Sequence, residues 1–213
     1  MITRLCALLA LLCCLMVVIG CASPLAPPPQ ATPAGTPAPA AVAPCNLPPL
    51  VAPTPPARIP AYLELDPATN LHMTGSVQSI DAASYRLTVT GRVGRPLSLT
   101  YDDLRCLPKK EVRSELVCPG FFVDTATWAG APLDAVLEMA GLPVGAAAVR
   151  LRSADGYDAT LRLVGATLEK EYILAYEWDG QPLPIVHGYP VRAVLPGVTG
   201  GSWIKWLVGI EVE

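Results

Sequence analysis

The most informative run of this sequence is His187-Gly-Tyr-Pro-Val-Arg192-Ala-Val-Leu-Pro196-Gly-Val-Thr-Gly-Gly-Ser-Trp-Ile-Lys205-Trp206. Arg192 keeps its charge, and its planar guanidinium suits a phosphate or carboxylate held by two hydrogen bonds. Lys205 adds a compact charge on a flexible side chain. Three glycines in the run let backbone N–H groups come close to an anion: Gly197, Gly200 and Gly201. The run therefore predicts a pocket for a phosphorylated or otherwise anionic ligand.

Around this run, alternating polar and apolar residues predict a series of β-strands. The clearest are residues 85–93 and residues 111–118, and the second of these ends at Cys118. Further strands are predicted at residues 149–152, 159–163, 172–178, 191–195 and 204–212. A helix is predicted to begin at residues 100–103, and another to span residues 132–140 with Gly141 as its C-cap. Many strands with two or three short helices predict a single α+β domain with a mixed sheet.

The first twenty residues have the layout of an export signal. An uninterrupted apolar run at residues 5–19 follows a short segment that carries one charge, Arg4. The run ends in Val18-Ile19-Gly20-Cys21, which resembles the lipobox of bacterial lipoproteins. That resemblance implies a signal peptide at residues 1–20 and lipidation of Cys21. The alternative is an uncleaved membrane helix, which would be at the short limit for spanning. Both readings predict an extracytoplasmic protein of the cell envelope that is anchored to a membrane.

A Pro/Ala-rich linker follows the signal. Residues 21–60 contain fourteen prolines, a density that favours extended polyproline II and predicts a semi-stiff linker after the lipidated Cys21. The remaining residues, 61–213, are enough for one domain with an adequate hydrophobic core. A formal net charge of -3 gives no indication of nucleic-acid binding.

Three cysteines lie beyond Cys21, in a compartment that permits disulfides: Cys45, Cys106 and Cys118. Because three is an odd number, at most one pair forms and one thiol remains. A Cys45–Cys106 bond would attach the linker to the domain and leave Cys118 free. A Cys106–Cys118 bond would close a small loop and consume that thiol. The sequence leaves both pairings open.

Several blocks in a fixed order carry a family resemblance. They are residues 87–99 (Leu-Thr-Val-Thr-Gly-Arg-Val-Gly-Arg-Pro-Leu-Ser-Leu), Leu116-Val-Cys118, Trp128-Ala-Gly-Ala-Pro-Leu133, residues 174–183 (Leu-Ala-Tyr-Glu-Trp-Asp-Gly-Gln-Pro-Leu), residues 187–192 and Ile204-Lys-Trp-Leu207. With these blocks, residues 85–212 resemble the molybdopterin-binding domain of the sulfite oxidase family. That family also includes the catalytic subunits of bacterial periplasmic methionine sulfoxide reductases.

The resemblance implies a site as well as a fold. Cys118 would be the thiolate ligand of molybdenum and the catalytic residue, since a soft thiolate suits a metal with sulfur ligands. The residues expected to hold the pterin and its phosphate are His187, Arg192, Trp203, Ile204 and Lys205. Asp155 and Tyr157 are further polar candidates that no family motif assigns. Trp128 and Trp206 are expected in the core, and His72 is expected to have no role in the site.

The predicted function is that of a membrane-tethered, molybdopterin-dependent oxidoreductase. It would transfer an oxygen atom or two electrons to or from a small-molecule substrate, and a separate envelope protein would carry the electrons. The alternative is a cofactor-free lipoprotein binding module that retains the fold. Two features favour it: residues 71–80 lack the arginine that the family carries there, and residues 1–4 lack a twin-arginine pair. A Cys106–Cys118 disulfide would also favour this alternative. A thiol-redox role for Cys118 has no Cys-x-x-Cys motif in its support.

Overall fold

The first sheet joins the two ends of the domain. A computed structural model describes residues 42–163 and 171–213. Its first five-stranded sheet has the order β4-β3-β12-β7-β8. Within it β3 and β12 pair in parallel, and the other neighbours are antiparallel. The five strands are β3 (Arg86–Gly91), β4 (Leu97–Thr100), β7 (Ala148–Ser153), β8 (Asp158–Arg162) and β12 (Leu207–Val212).

The second sheet is antiparallel and carries the candidate site. Its path is β10-β9-β6-β5, and β11 pairs with β9 as well. These strands are β5 (Lys110–Cys118), β6 (Phe122–Pro132), β9 (Ile173–Trp178), β10 (Gln181–Pro182) and β11 (Arg192–Val194). A two-stranded ladder of β1 (Leu65–Asp66) and β2 (Leu71–His72) stands apart. The α+β class and the mixed pairing are confirmed, although the strands form two main sheets and not one.

The strands follow the predicted periodicity, with one large exception. In β3 the buried Leu87 and Val89 alternate with exposed residues, because successive side chains of a strand point to opposite faces. No strand is predicted between residues 119 and 131, yet β6 (Phe122–Pro132) covers most of that segment. The prediction was wrong because β6 lies between β5 and β9 and is buried on both faces near its end. Residues 122–128 do alternate in burial, but Val123 is exposed and Asp124 is buried, the reverse of what their polarity indicates. Gly130 and Pro132 are in addition typical of turns.

Both helices are short and lie where the sequence indicates. The first, α1 (Tyr101–Cys106), has a capping box. The Thr100 hydroxyl accepts from the backbone N–H of Asp103, and the Asp103 carboxylate accepts from the backbone N–H of Thr100. The second, α2 (Leu133–Met139), is followed by Gly141 in the left-handed region. One core cluster contains apolar side chains from both five-stranded sheets and both helices.

The linker is joined to the domain by a disulfide. Cys45 is bonded to Cys106 of α1, and Cys118 is free. Arg105 of the same helix donates to the carbonyl of Pro48 at 2.9 Å. Cys106 is therefore not bonded to Cys118, the pairing that would have favoured a cofactor-free module. The described residues of the linker, 42–60, contain no helix or strand. The signal peptide and Cys21 lie outside the described residues, so those interpretations stay predictions.

No helix within residues 42–163 and 171–213 is long and apolar enough to cross a membrane.

Candidate active site

A cavity of about 470 Å³ brings most of the predicted site residues together. Five of the six open onto it: Cys118, Arg192, Trp203, Ile204 and Lys205. Gly200 and Gly201 also line it, whereas Gly197 does not. The polar candidates Asp155 and Tyr157 form part of its wall. The cavity therefore joins the end of β5 to the run that follows β11.

Cys118 reaches the cavity because it ends β5. Along this strand Leu116 and Cys118 are half-buried, while Glu115 and Val117 point to solvent on the opposite face. The strand then turns through residues 119–121, and Phe121 donates its backbone N–H to the carbonyl of Cys118 at 3.0 Å. The thiol is thus free, partly accessible and held on a paired strand.

Arg192 is a buried cation with an incomplete set of partners. It is 1% exposed, and its Nη1 donates to the carbonyl of His187 at 3.1 Å. Its Nε has no hydrogen-bond partner. The guanidinium carbon lies 4.6 Å from the ring centroid of Trp128 and 5.9 Å from that of Trp203. Burial lowers the pKa of Arg192 to about 9, so the group is still charged at neutral pH.

Lys205 is the second buried basic side chain of the cavity. Its Nζ donates to the carbonyls of Thr74 at 2.9 Å and Val186 at 3.1 Å. Burial, with the neighbouring charge of Arg192, holds the pKa of Lys205 well below its usual value. Within the described part of the chain, neither Lys205 nor Arg192 forms an ion pair. Buried charges are normally paired, so this arrangement leaves room for an anion beside the two cations.

The glycine at residue 188 allows this close packing. Gly188 has a φ of 114°, and a Cβ built on it would lie 3.0 Å from the Cβ of Arg192 and 3.2 Å from the Cα of Lys205. A side chain at this position would therefore push the two cations apart, in addition to straining the backbone.

His187 does not line the cavity. Its Nε2 lies 3.0 Å from Oδ2 of Asp66 and 2.8 Å from Oγ1 of Thr69, so the ring faces the turn after β1. Its backbone carbonyl still contributes, since it accepts from Arg192. The expectation that the His187 side chain holds the pterin stays a prediction. The geometry favours a different role, in which the backbone carbonyl of His187 holds Arg192 in place.

Acid is expected to destabilise the protein through His187. Burial, then the charge of Lys205, lowers the pKa of His187 to about 3, against an ordinary value of 6.5, despite the opposing effect of Asp66. The unfolded chain therefore takes up a proton that the folded chain refuses. This contribution to stability is present above pH 6.5 and is lost as the pH falls towards 3. Denaturant unfolding between pH 7 and pH 4 measures it. A His187→Gln variant should show a shallower decline, and an equal decline would assign the effect to other groups.

Several cavity residues carry no signal in the sequence. Thr74, Gly75 and Ser76 line it, although residues 71–80 contain no arginine and the sequence therefore indicates no site residue there. Asp155 lies against this segment, since its Oδ2 accepts from the backbone N–H of Ser76 at 3.1 Å. Burial alone would raise the pKa of Asp155, but this bond and others from Ser153 and Tyr157 lower it. Trp128 and Trp206 are buried as expected, and the Trp206 ring also reaches the cavity wall.

The family to which this chain belongs follows from comparison with known protein families. The model of a family described as "Oxidoreductase molybdopterin binding domain" matches residues 74–213. The chain belongs to that family, and the resemblance found in the sequence is confirmed. Molybdenum bound to molybdopterin is the cofactor that this membership implies.

Individual relatives narrow the class. Mouse mitochondrial sulfite oxidase is 40% identical, over 64% of this chain and 30% of its own length. Arabidopsis thaliana sulfite oxidase is 35% identical, over 61% of this chain and 42% of its own length. An uncharacterized oxidoreductase of Bacillus subtilis, YuiH, is 31% identical, over 62% of this chain and 66% of its own length. The chain thus spans less than half the length of these two sulfite oxidases.

A solved structure with a similar fold is the sulfane dehydrogenase SoxCD of Paracoccus pantotrophus. It superposes with a TM-score of 0.60 at 24% identity, over 64% of this chain and 40% of that one. At this identity the likeness concerns the fold alone.

Proposed function

We propose that the domain holds molybdenum-molybdopterin in the Cys118 cavity and transfers an oxygen atom or two electrons to or from a small molecule. One observation carries the proposal. Arg192, a buried cation without an ion-pair partner among the described residues, and the buried amine of Lys205 share a cavity with the free thiol Cys118. A phosphate-bearing cofactor with a thiophilic metal has the chemistry that this set of residues lacks.

Each group has a separate task in this proposal. Arg192 has an unused Nε donor for an oxygen of the pterin phosphate. Lys205 adds an amine held in place by two carbonyls, and an anion beside it would favour its protonated form. Gly200 packs tightly against β5, since a Cβ there would lie 2.6 Å from Leu116, and Gly201 beside it keeps the wall open enough for backbone N–H groups to approach the ligand. Cys118 supplies the thiolate to the metal. When bound, the cofactor supplies the redox-active centre that exchanges oxygen or electrons with substrate.

The aromatic residues around Arg192 strengthen its binding of an anion. Trp128 and Trp203 cover the guanidinium and exclude water from it. In such surroundings a charge interacts more strongly with an opposite charge than it does in water. The polar wall opposite, which includes Ser76, Asp155 and Tyr157, is left to contact the substrate.

The cellular setting is a further part of the proposal. The apolar run before Cys21 and the proline-rich linker support an exported domain tethered to a membrane by lipid. The described residues lie in one unit, residues 37–213, and they offer one free thiol as a redox group. A separate envelope protein would then exchange electrons with the site.

Molybdenum and pterin analysis of the purified full chain tests the proposal. We expect both in equal amounts, with an absorption band from the bond between the Cys118 sulfur and molybdenum. In a Cys118→Ala variant, we expect that band to disappear while pterin remains on Arg192 and Lys205. A protein without molybdenum, from cells that load other molybdopterin enzymes fully, would contradict the proposal.

A further inference from the structure

A second set of contacts stands next to Cys118, on a part of the cavity wall that has no role in the proposed cofactor binding. The buried Asp124 directs both of its carboxylate oxygens to one residue, His72. Its Oδ2 accepts from the backbone N–H of His72 at 2.7 Å, and its Oδ1 lies 2.6 Å from His72 Nδ1. Since an ionised carboxylate only accepts, the ring donates from Nδ1. Two bonds to one carboxylate fix both the backbone and the imidazole of His72.

The fixed imidazole supports an aromatic wall of the cavity. The rings of His72 and Phe122 are stacked, with centroids 4.3 Å apart and planes 12° from parallel. Phe122 lines the cavity and is the cross-strand partner of Cys118. The adjacent Phe121 is 69% exposed and points away. Of these two successive phenylalanines, only Phe122 lines the cavity with Cys118, and its ring stacks on that of His72.

We propose that His72 is a positioning residue that sets the specificity of the cavity. Asp124 holds its ring, and its ring holds Phe122 as an apolar wall beside Cys118. Together with Leu116 and Trp203, this wall selects a substrate that presents a compact, uncharged carbon group at the thiol side. The selection of substrate rests on the proposed function, whereas the placement of Phe122 does not require the cofactor.

Fluorine NMR of the full chain tests the placement directly. The chain contains only two phenylalanines, so labelling with 4-fluorophenylalanine gives two signals, and Phe121→Leu assigns them. Stacking should separate the Phe122 signal from that of the exposed Phe121. His72→Asn keeps an amide donor for Asp124 but removes the ring, and should move the Phe122 signal towards the exposed position. His72→Phe restores a ring and should return the signal. An unchanged Phe122 signal in His72→Asn would overturn the proposal.

Alkylation of Cys118 tests the selectivity without any substrate. The full chain is prepared from cells that cannot make the pterin, and modification of the Cys118 peptide is followed by mass spectrometry. Two probes are compared, iodoacetamide and the bulkier iodoacetanilide. In His72→Asn and Phe122→Ala, the rate for the bulky probe relative to the small one should rise about tenfold, the scale on which apolar pockets discriminate by size. Phe121→Ala is the matched control and should leave the ratio unchanged, as should His72→Phe.

The outcomes separate this proposal from the proposed function. An unchanged ratio in His72→Asn would show that His72 only stabilises the fold, whatever the metal content of the wild-type protein. Absence of molybdenum with the expected NMR and alkylation results would remove the proposed function and leave His72 as the residue that positions Phe122.

Discussion

Replacing Arg192 by methionine is expected to remove the cofactor while leaving the fold intact. Loss of one partner of a buried, charged hydrogen bond costs about 2–5 kcal/mol, or about 30-fold or more in the dissociation constant. Methionine fills the space between Trp128 and Trp203 and makes favourable contacts with their rings. Pterin released by denaturation, counted per protein molecule, measures the loss.

The stability of the cofactor-free Arg192→Met protein should change by only about 1 kcal/mol, because two effects oppose each other. The substitution removes an unpaired buried charge, which favours the folded state. It also leaves the carbonyl of His187 without its hydrogen-bond donor, which disfavours the folded state. Arg92→Met, on an exposed side chain, is the control and should retain its pterin. Wild-type pterin content in Arg192→Met would show that the guanidinium is not a cofactor ligand.

Removing the Cys45–Cys106 disulfide is expected to give the largest change in stability. The bond joins residues separated by 61 positions. Opening a loop of that length restores conformational entropy to the unfolded chain, which corresponds to about 4 kcal/mol at 25 °C. A domain of this kind is stable by only about 5–15 kcal/mol, so this loss is a large share. Denaturant unfolding of the Cys45→Ala, Cys106→Ala double variant measures it.

Reduction provides the matching control for this prediction. Dithiothreitol should lower the unfolding midpoint of the wild-type protein to that of the double variant, and should leave the variant unchanged. Cys118→Ala should keep the wild-type response, because Cys118 is not in a disulfide. A double variant as stable as the wild-type protein would mean that residues 42–60 contribute little to the folded state.

The parts of the site that could be read from the sequence are those with charged or nucleophilic side chains. Arg192 and Lys205 stand out because a core does not need them, and Cys118 ends a recognisable strand. The contribution of Thr74 could not be read, because it is a backbone carbonyl that receives Lys205. Every residue has such a carbonyl, so its use depends on tertiary placement alone.

The role of the two histidines also depends on distant contacts. The ring of His187 faces Asp66, 121 positions earlier in the chain. The ring of His72 is held by Asp124, 52 positions later. No local pattern indicates either partner. The sequence therefore suggests that His187 binds the cofactor and gives no role to His72. β6 was missed for a similar reason, since its burial does not follow polarity: Asp124 is buried through its bonds to His72, and Val123 is exposed.

The parallel pairing of β3 with β12 has a consequence for the order of folding. Thr88 lies opposite Gly209, so the first sheet pairs two strands that are far apart in the sequence. Contacts so distant in sequence form slowly, because a long loop must close before they stabilise anything. Lys205 lies in the segment that leads into β12, so it reaches its final position only when that strand docks, whereas Arg192 belongs to β11 of the second sheet. Binding of the cofactor by both residues would therefore have to follow the docking of β12, whichever sheet forms first.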